Sequence, residues 1–151
     1  VKTAPREVCV DASLLVKLVL NEPDSDLADA LFSRWKDEGV FLIAPVFCPV
    51  EVDSVIRSRT ATGAVAERLS LEQADLAFEA IQRVPVRTKT ETGQRRRAWE
   101  LAGDLGLPVV YDSHYLALAE IRGCAFWTAD RRLYRKVSHR LSYVHLLQNG
   151  V

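Results

Sequence analysis

Four acidic residues, Asp11, Glu51, Asp112 and Asp130, each fall at the end of a predicted strand or at the start of a predicted helix. A carboxylate that directly follows an apolar run is costly there unless something pairs with it. Four such positions in a chain of 151 residues point to a pocket for a hard divalent cation, because Mg²⁺ and Mn²⁺ prefer carboxylate oxygens. A cation held this way lowers the pKa of bound water and offsets charge on phosphoryl oxygens, which is the chemistry of phosphodiester cleavage. The expected roles follow. Asp11, Asp112 and Asp130 hold one or two ions, directly or through water, and Glu51 completes the shell or orients the attacking water.

Each acid also has a plainer reading. Asp112 lies where a helix N-cap belongs, and Asp is a favoured cap. Asp130 stands where it could cap the helix that follows it. Glu51, in a first helical turn, could merely complement the helix dipole. Asp11 is the hardest to explain as a cap alone, since it follows an apolar strand and precedes a helix. The joint pattern favours the metal site.

The elements that must position these acids alternate. Val8–Val10 reads as a strand, and Leu14, Leu15, Leu18 and Val19 recur at helical spacing. A second helix opens at Asp24 or Ser25 and closes near Gly39. Val40–Ala44 reads as a strand and Val46–Arg59 as a helix, with Gly63 just past its end. Ser70 and Gln73 form a capping-box pattern that opens a helix over Leu71–Gln82. Thr92 caps the next helix, which runs to Gly106. Val109 and Val110 are either a minimal strand or the lead-in to a helix. Asp112–Ile121 is a helix ending at Gly123, Ala125–Thr128 a strand, Arg131–Val137 a short helix and Tyr143–Leu147 a last strand. Strands alternating with helices imply an α/β fold with a parallel sheet covered on both faces. In such folds, sites gather at the carboxyl ends of the strands.

Composition narrows the function classes. The length fits a single domain over residues 1–151, with no repeat or linker. Lys+Arg and Asp+Glu are both 20, and the near-zero net charge argues against bulk non-specific binding to nucleic acid. Acids gathered in a pocket would still leave the remaining surface mildly basic. No apolar run approaches the ~20 residues needed to span a bilayer. The first residues lack a basic stretch followed by a long apolar one, so secretion is not expected. Cys9, Cys48 and Cys124 are widely spaced and form no CxxC pair. That argues against a zinc or disulfide framework and fits a reducing cytoplasm. His114, His139 and His145 share no ligand spacing. Trp35, Trp99 and Trp127 read as packing residues. Dinucleotide, P-loop and serine-hydrolase motifs are absent.

Four segments carry a family resemblance: VCVDASLLVKLVLNEP (8–23), CPVEVDSVI (48–56), YDSHYLALAE (111–120) and FWTADRRL (126–133). In order and spacing they resemble the signature segments of PIN-domain ribonucleases, most of all the VapC-type toxins of bacterial toxin–antitoxin pairs. The resemblance implies a three-layer α/β/α sandwich with a central parallel sheet. It also implies an endoribonuclease dependent on Mg²⁺ or Mn²⁺, a cognate antitoxin and a homodimer. By position, the family's acids fall on Asp11, Glu51, Asp112 and Asp130, and its supporting hydroxyls on Ser13 and Thr128. Many relatives carry a small residue and Asn after the glutamate, where this chain has Asp53 and Ser54. Asp53, two positions from Glu51, does not share its helix face and stays outside the metal set.

Two cationic groups stand out. Arg95, Arg96 and Arg97 open a predicted helix, and Arg131, Arg132, Arg135 and Lys136 follow Asp130. Arg131 and Arg132 adjoin the expected pocket and are the candidate RNA contacts. The alternative to a nuclease is a catalytically silent PIN module that binds RNA or a protein partner. A haloacid-dehalogenase-like phosphatase needs a DxD pair after the first strand, and Asp11 is followed here by Ala12 and Ser13.

Overall fold

The computed structural model describes residues 4–148. Five strands form one sheet, β1 (Glu7–Val10), β2 (Phe41–Pro45), β3 (Val86–Lys89), β4 (Ala125–Thr128) and β5 (Val144–Leu146), in the order β3-β2-β1-β4-β5. Every pairing is parallel, with Cys9 opposite Ile43 on one side and Phe126 on the other. Helices fill the connections: α1 (Ala12–Val16), α2 (Ser25–Asp37), α3 (Cys48–Ser58), α4 (Leu71–Ile81), α5 (Gln94–Asp104), α6 (Tyr111–Arg122) and α7 (Arg131–Val137). No helix among the described residues is long and apolar enough to cross a membrane.

Chain direction across the sheet reverses between β1 and β4. The chain steps outward from β1 to β2 and β3, then returns to β4 and steps the other way to β5. Right-handed crossovers therefore place α1–α4 on one face and α5–α7 on the other, giving the three layers. The gap between the carboxyl ends of β1 and β4 is the topological switch point, where ligands bind in open α/β sheets.

The core sits on both faces of the central strands. Val8, Cys9, Val10, Ile43 and Phe126 are fully buried, as a parallel sheet requires. Trp35 of α2 packs edge-on to Trp127 at 5.7 Å between centroids. Tyr115 of α6 lies 5.9 Å from Phe126 on the other side. Helix α6 carries a continuous buried run, with Tyr115 through Ala119 all inside. Arg97 of α5 holds Glu120 of α6 through two hydrogen bonds. Arg122 grips both oxygens of Glu7 at 2.8 Å and reaches Glu91 at 3.2 Å, which ties the end of α6 to the start of β1.

Several boundaries differ from the sequence reading. The strand β3 was not expected. Its sequence VRTK is polar, and as an edge strand it is only partly covered, so no apolar alternation marks it. Val109 and Val110 are not a strand but the lead-in to α6. Gly93, at φ 80°, precedes α5 in place of Thr92, a backbone conformation that glycine adopts without strain. Trp99 does not serve core packing, being 68% exposed. Of the cysteines, Cys9 and Cys48 are buried, whereas Cys124 is only half-buried.

The expected capping box is present: the Ser70 hydroxyl accepts from the Gln73 backbone N–H, and Gln73 accepts from that of Ser70. Ser70→Ala should cost about 1 kcal/mol. Leu116→Ala, in the wholly buried stretch of α6, should cost about 2–5 kcal/mol. Urea unfolding with an unchanged m-value checks both.

Candidate active site

Asp11 continues the extended backbone of β1 by one residue (φ −99°, ψ 173°) before the chain turns into α1. The turn aims its carboxylate back at the chain. Oδ1 accepts from the Leu14 N–H at 3.1 Å and from the Ser13 hydroxyl at 2.6 Å. Oδ2 accepts from the Thr128 hydroxyl at 2.5 Å. Both hydroxyls also accept, Ser13 from the Ala129 N–H and Thr128 from the Asp130 N–H, each at 3.0 Å. The ends of β1 and β4 are thus joined across the switch point through one buried carboxylate.

Asp130 caps α7, its Oδ1 accepting from the N–H groups of Arg132 and Leu133. The capping reading therefore holds for Asp11 and Asp130, and in neither case does it exclude the chemical one. For Asp112 the capping reading fails. Helix α6 starts one residue earlier than expected, at Tyr111, and has no side-chain cap. Asp112 lies in the first turn with no hydrogen bond that would explain it. Glu51 lies in the first turn of α3, and its Oε1 accepts from the Tyr115 hydroxyl at 2.9 Å.

All four acids line one cleft of about 360 Å³, together with Ser13, Lys17, Glu22, Arg59 and Tyr115. Burial pushes Asp11 up to about 6; its hydrogen bonds from Ser13, Thr128 and Leu14 oppose the rise, and Asp112 adds to it. Burial also raises Glu51, with the Tyr115 bond opposing and Asp112 adding repulsion. Asp112 is raised by burial and by Asp130. Asp112 is thus the common neighbour of the other three. Among the described residues, no cation forms a salt bridge with any of the four.

Such a donor set fits a hard divalent cation: oxygen only, anionic and, among the described residues, not ion-paired to any protein cation. Among the described residues, no three His, Cys, Asp or Glu side chains already stand grouped to hold one ion. The fit is therefore to an ion that keeps several of its own waters, as Mg²⁺ does. Thr128 is fully buried on Asp11, so its hydroxyl does more than favour a strand.

Other expected residues lie outside the cleft. Arg131 turns toward Asp24, at 3.7 Å, and neither it nor Arg132 lines the cleft. Arg97 is engaged with Glu120. His114 packs edge-on to Phe47. The sequence reading missed Lys17, Glu22, Arg59 and Tyr115 as cleft residues. Lys17 and Glu22 lie inside the first signature segment and Tyr115 inside the third, so position in those segments was the available sign. Arg59, in the turn that ends α3, carried none.

The PIN-domain family model matches residues 8–138. Ribonuclease VapC9 of Mycobacterium tuberculosis and VapC ribonuclease Mb0985 of Mycobacterium bovis are each 36% identical to this chain over 85 residues. That stretch covers 56% of this chain and 65% of each relative's length. Among solved structures, PAE2754 from Pyrobaculum aerophilum superposes with a TM-score of 0.58 at 21% identity, covering 87% of this chain and 84% of its own. Mycobacterium tuberculosis VapC20, described as a Sarcin-Ricin loop cleaving toxin, gives 0.61 at 16% identity, covering 86% and 95%. At these identities the two structures speak for the fold alone. With the family match spanning β1 through α7 and the acids gathered at the switch point, the chain belongs to the PIN-domain family.

Proposed function

We propose that the protein is a metal-dependent endoribonuclease of the VapC type, the toxin of a toxin–antitoxin pair. One observation carries the reading: Asp11, Glu51, Asp112 and Asp130 line a single cleft at the switch point, with no cation paired to them among the described residues. The ribonuclease names of the relatives support RNA as substrate. A cognate antitoxin and a homodimer follow from the family resemblance. Three free thiols support a reducing, cytoplasmic setting.

In this reading Asp11, Asp112 and Asp130 would hold one or two ions, directly or through water. Bound Mg²⁺ or Mn²⁺ supplies an activated water and offsets charge on the phosphoryl oxygens. Ser13 and Thr128 fix the Asp11 carboxylate by their hydrogen bonds. Tyr115 holds one oxygen of Glu51, which leaves the other to orient the attacking water. The silent-module reading has one observation in its favour, the lack of a preformed group of three ligands among the described residues.

Cleavage of a labelled single-stranded RNA separates the two readings. Cutting should require Mg²⁺ or Mn²⁺, stop with EDTA and return with excess metal. Asp112→Asn should lose at least about 100-fold in rate, the scale on which one stabilising group counts. Cutting that survives chelation contradicts metal dependence, and no cutting under any metal favours the silent module.

The buried carboxylate also sets a pH dependence. Asp11 binds its proton more tightly folded than unfolded, so its ionisation opposes folding. That penalty is absent well below pH 3.8, sets in as the unfolded chain ionises, and is nearly complete once pH rises past about 6. In EDTA, the stability of Asp11→Asn relative to the wild type should therefore rise across this window, by about 3 kcal/mol. Urea unfolding at several pH values measures it. A difference that stays flat with pH overturns the assignment.

A further inference from the structure

A second charged group shares the cleft, and the metal reading gives it no task. Lys17 follows the last turn of α1, Glu22 lies in the loop before α2, and Arg59 ends α3; all three line the same cleft as the four acids. Glu22 Oε1 accepts from the Arg59 guanidinium at 2.5 Å, and Oε2 from the Lys17 ammonium at 3.4 Å. Lys17 also donates to the Pro23 carbonyl at 2.7 Å. The Lys17 and Glu22 side chains are only 14% and 13% exposed, and that of Arg59 is 47% exposed.

The loop that carries Glu22 is braced. The Glu22 N–H donates to the Ser25 hydroxyl at 3.0 Å, and that hydroxyl donates to the Leu20 carbonyl at 2.9 Å. Glu22 is therefore a fixed anchor, and the cations it holds are fixed with it.

The pairing is selective. Two cations and five carboxylates line one cleft, yet both cations pair with Glu22 and neither with Asp11, Glu51, Asp112 or Asp130. Because of this arrangement the four acids keep their charge for a metal. The trio itself carries one net positive charge. One Arg59 hydrogen bond to Glu22 leaves most of the five guanidinium N–H donors for another acceptor. A polyanion entering a cleft lined with acids meets repulsion, and cations fixed on the same wall offset it.

We propose that Lys17 and Arg59, held in place by Glu22, form a phosphate clamp that binds the backbone of a single-stranded RNA beside the bond to be cut. Arg59 supplies a fork for phosphate oxygens and Lys17 a point charge. Glu22 is a positioning residue that acts through both. The assignment rests on the ribonuclease reading for its substrate. It gives RNA contact to cations within the cleft, not to Arg131 and Arg132 outside it.

The test measures binding and cleavage of one fluorescently labelled single-stranded RNA by the wild type, Lys17→Gln, Arg59→Gln, Arg59→Lys and Glu22→Gln. Thermal melts accompany each variant. Arg59→Gln should raise KM about tenfold with kcat within twofold, and should reduce the log–log salt slope of binding by about 0.7, the value for one phosphate contact on a single strand. Lys17→Gln should act in the same direction. Arg59→Lys should keep the salt slope and recover only part of KM. Glu22→Gln keeps both cations, so it should raise KM with the salt slope nearly unchanged. A wild type that cuts RNA, with Lys17→Gln and Arg59→Gln matching it in KM and salt slope, overturns the clamp and leaves the ribonuclease reading standing. A wild type that binds RNA with an Arg59-dependent salt slope but never cuts supports the clamp and overturns the ribonuclease reading.

Discussion

The buried carboxylate of Asp11 is the point on which this structure turns. It accepts from Ser13 and Leu14 on its own strand–helix turn and from Thr128 on the neighbouring strand. Through the two hydroxyls, the backbone N–H groups of Ala129 and Asp130 are drawn into the same network. These bonds join the carboxyl ends of β1 and β4 where the sheet changes direction. The same bonds make it possible to bury a group that is costly to ionise there. The outcome is a carboxylate raised to about 6 by burial, fixed in position and placed beside Asp112.

Charge separation explains the rest of the cleft. Asp112 adds to the rise at Asp11 and Glu51 and is itself raised by Asp130. A protein built only for stability would set a lysine or arginine among such acids. Here Lys17 and Arg59 are nearby, yet both are bound to Glu22. Among the described residues no ion pair relieves the repulsion among the four acids. A divalent cation is the species that would relieve it.

Much of this was legible in the sequence, for physical reasons that differ by residue. Asp11 was visible because an apolar strand ends on it. The strand Ala125–Thr128 and the helix Arg131–Val137 were found with their observed bounds, because apolar patterning and the cap at Asp130 agree there. The edge strand β3 was not found: VRTK has one apolar residue, and an edge strand needs no more. The role of Asp112 was read both ways, since cap and ligand favour the same residue type at a helix start. One residue of helix register removes the cap reading, because α6 starts at Tyr111 and leaves Asp112 inside the first turn. The Lys17–Glu22–Arg59 trio was invisible for another reason. Its members are ordinary surface residue types, and only the fold brings residue 59 against residues 17 and 22.

The central claim is that these acids share a divalent cation, and direct binding tests it without reference to any substrate. Mn²⁺ titrated into the protein can be followed by the loss of its free-ion electron paramagnetic resonance signal, for the wild type and for Asp112→Asn. The account predicts saturable uptake by the wild type, competed by Mg²⁺, and affinity at least about tenfold weaker in the variant, since losing even an outer-shell partner of a metal ligand counts on that scale. Equal uptake by both proteins, or none by the wild type, would contradict it.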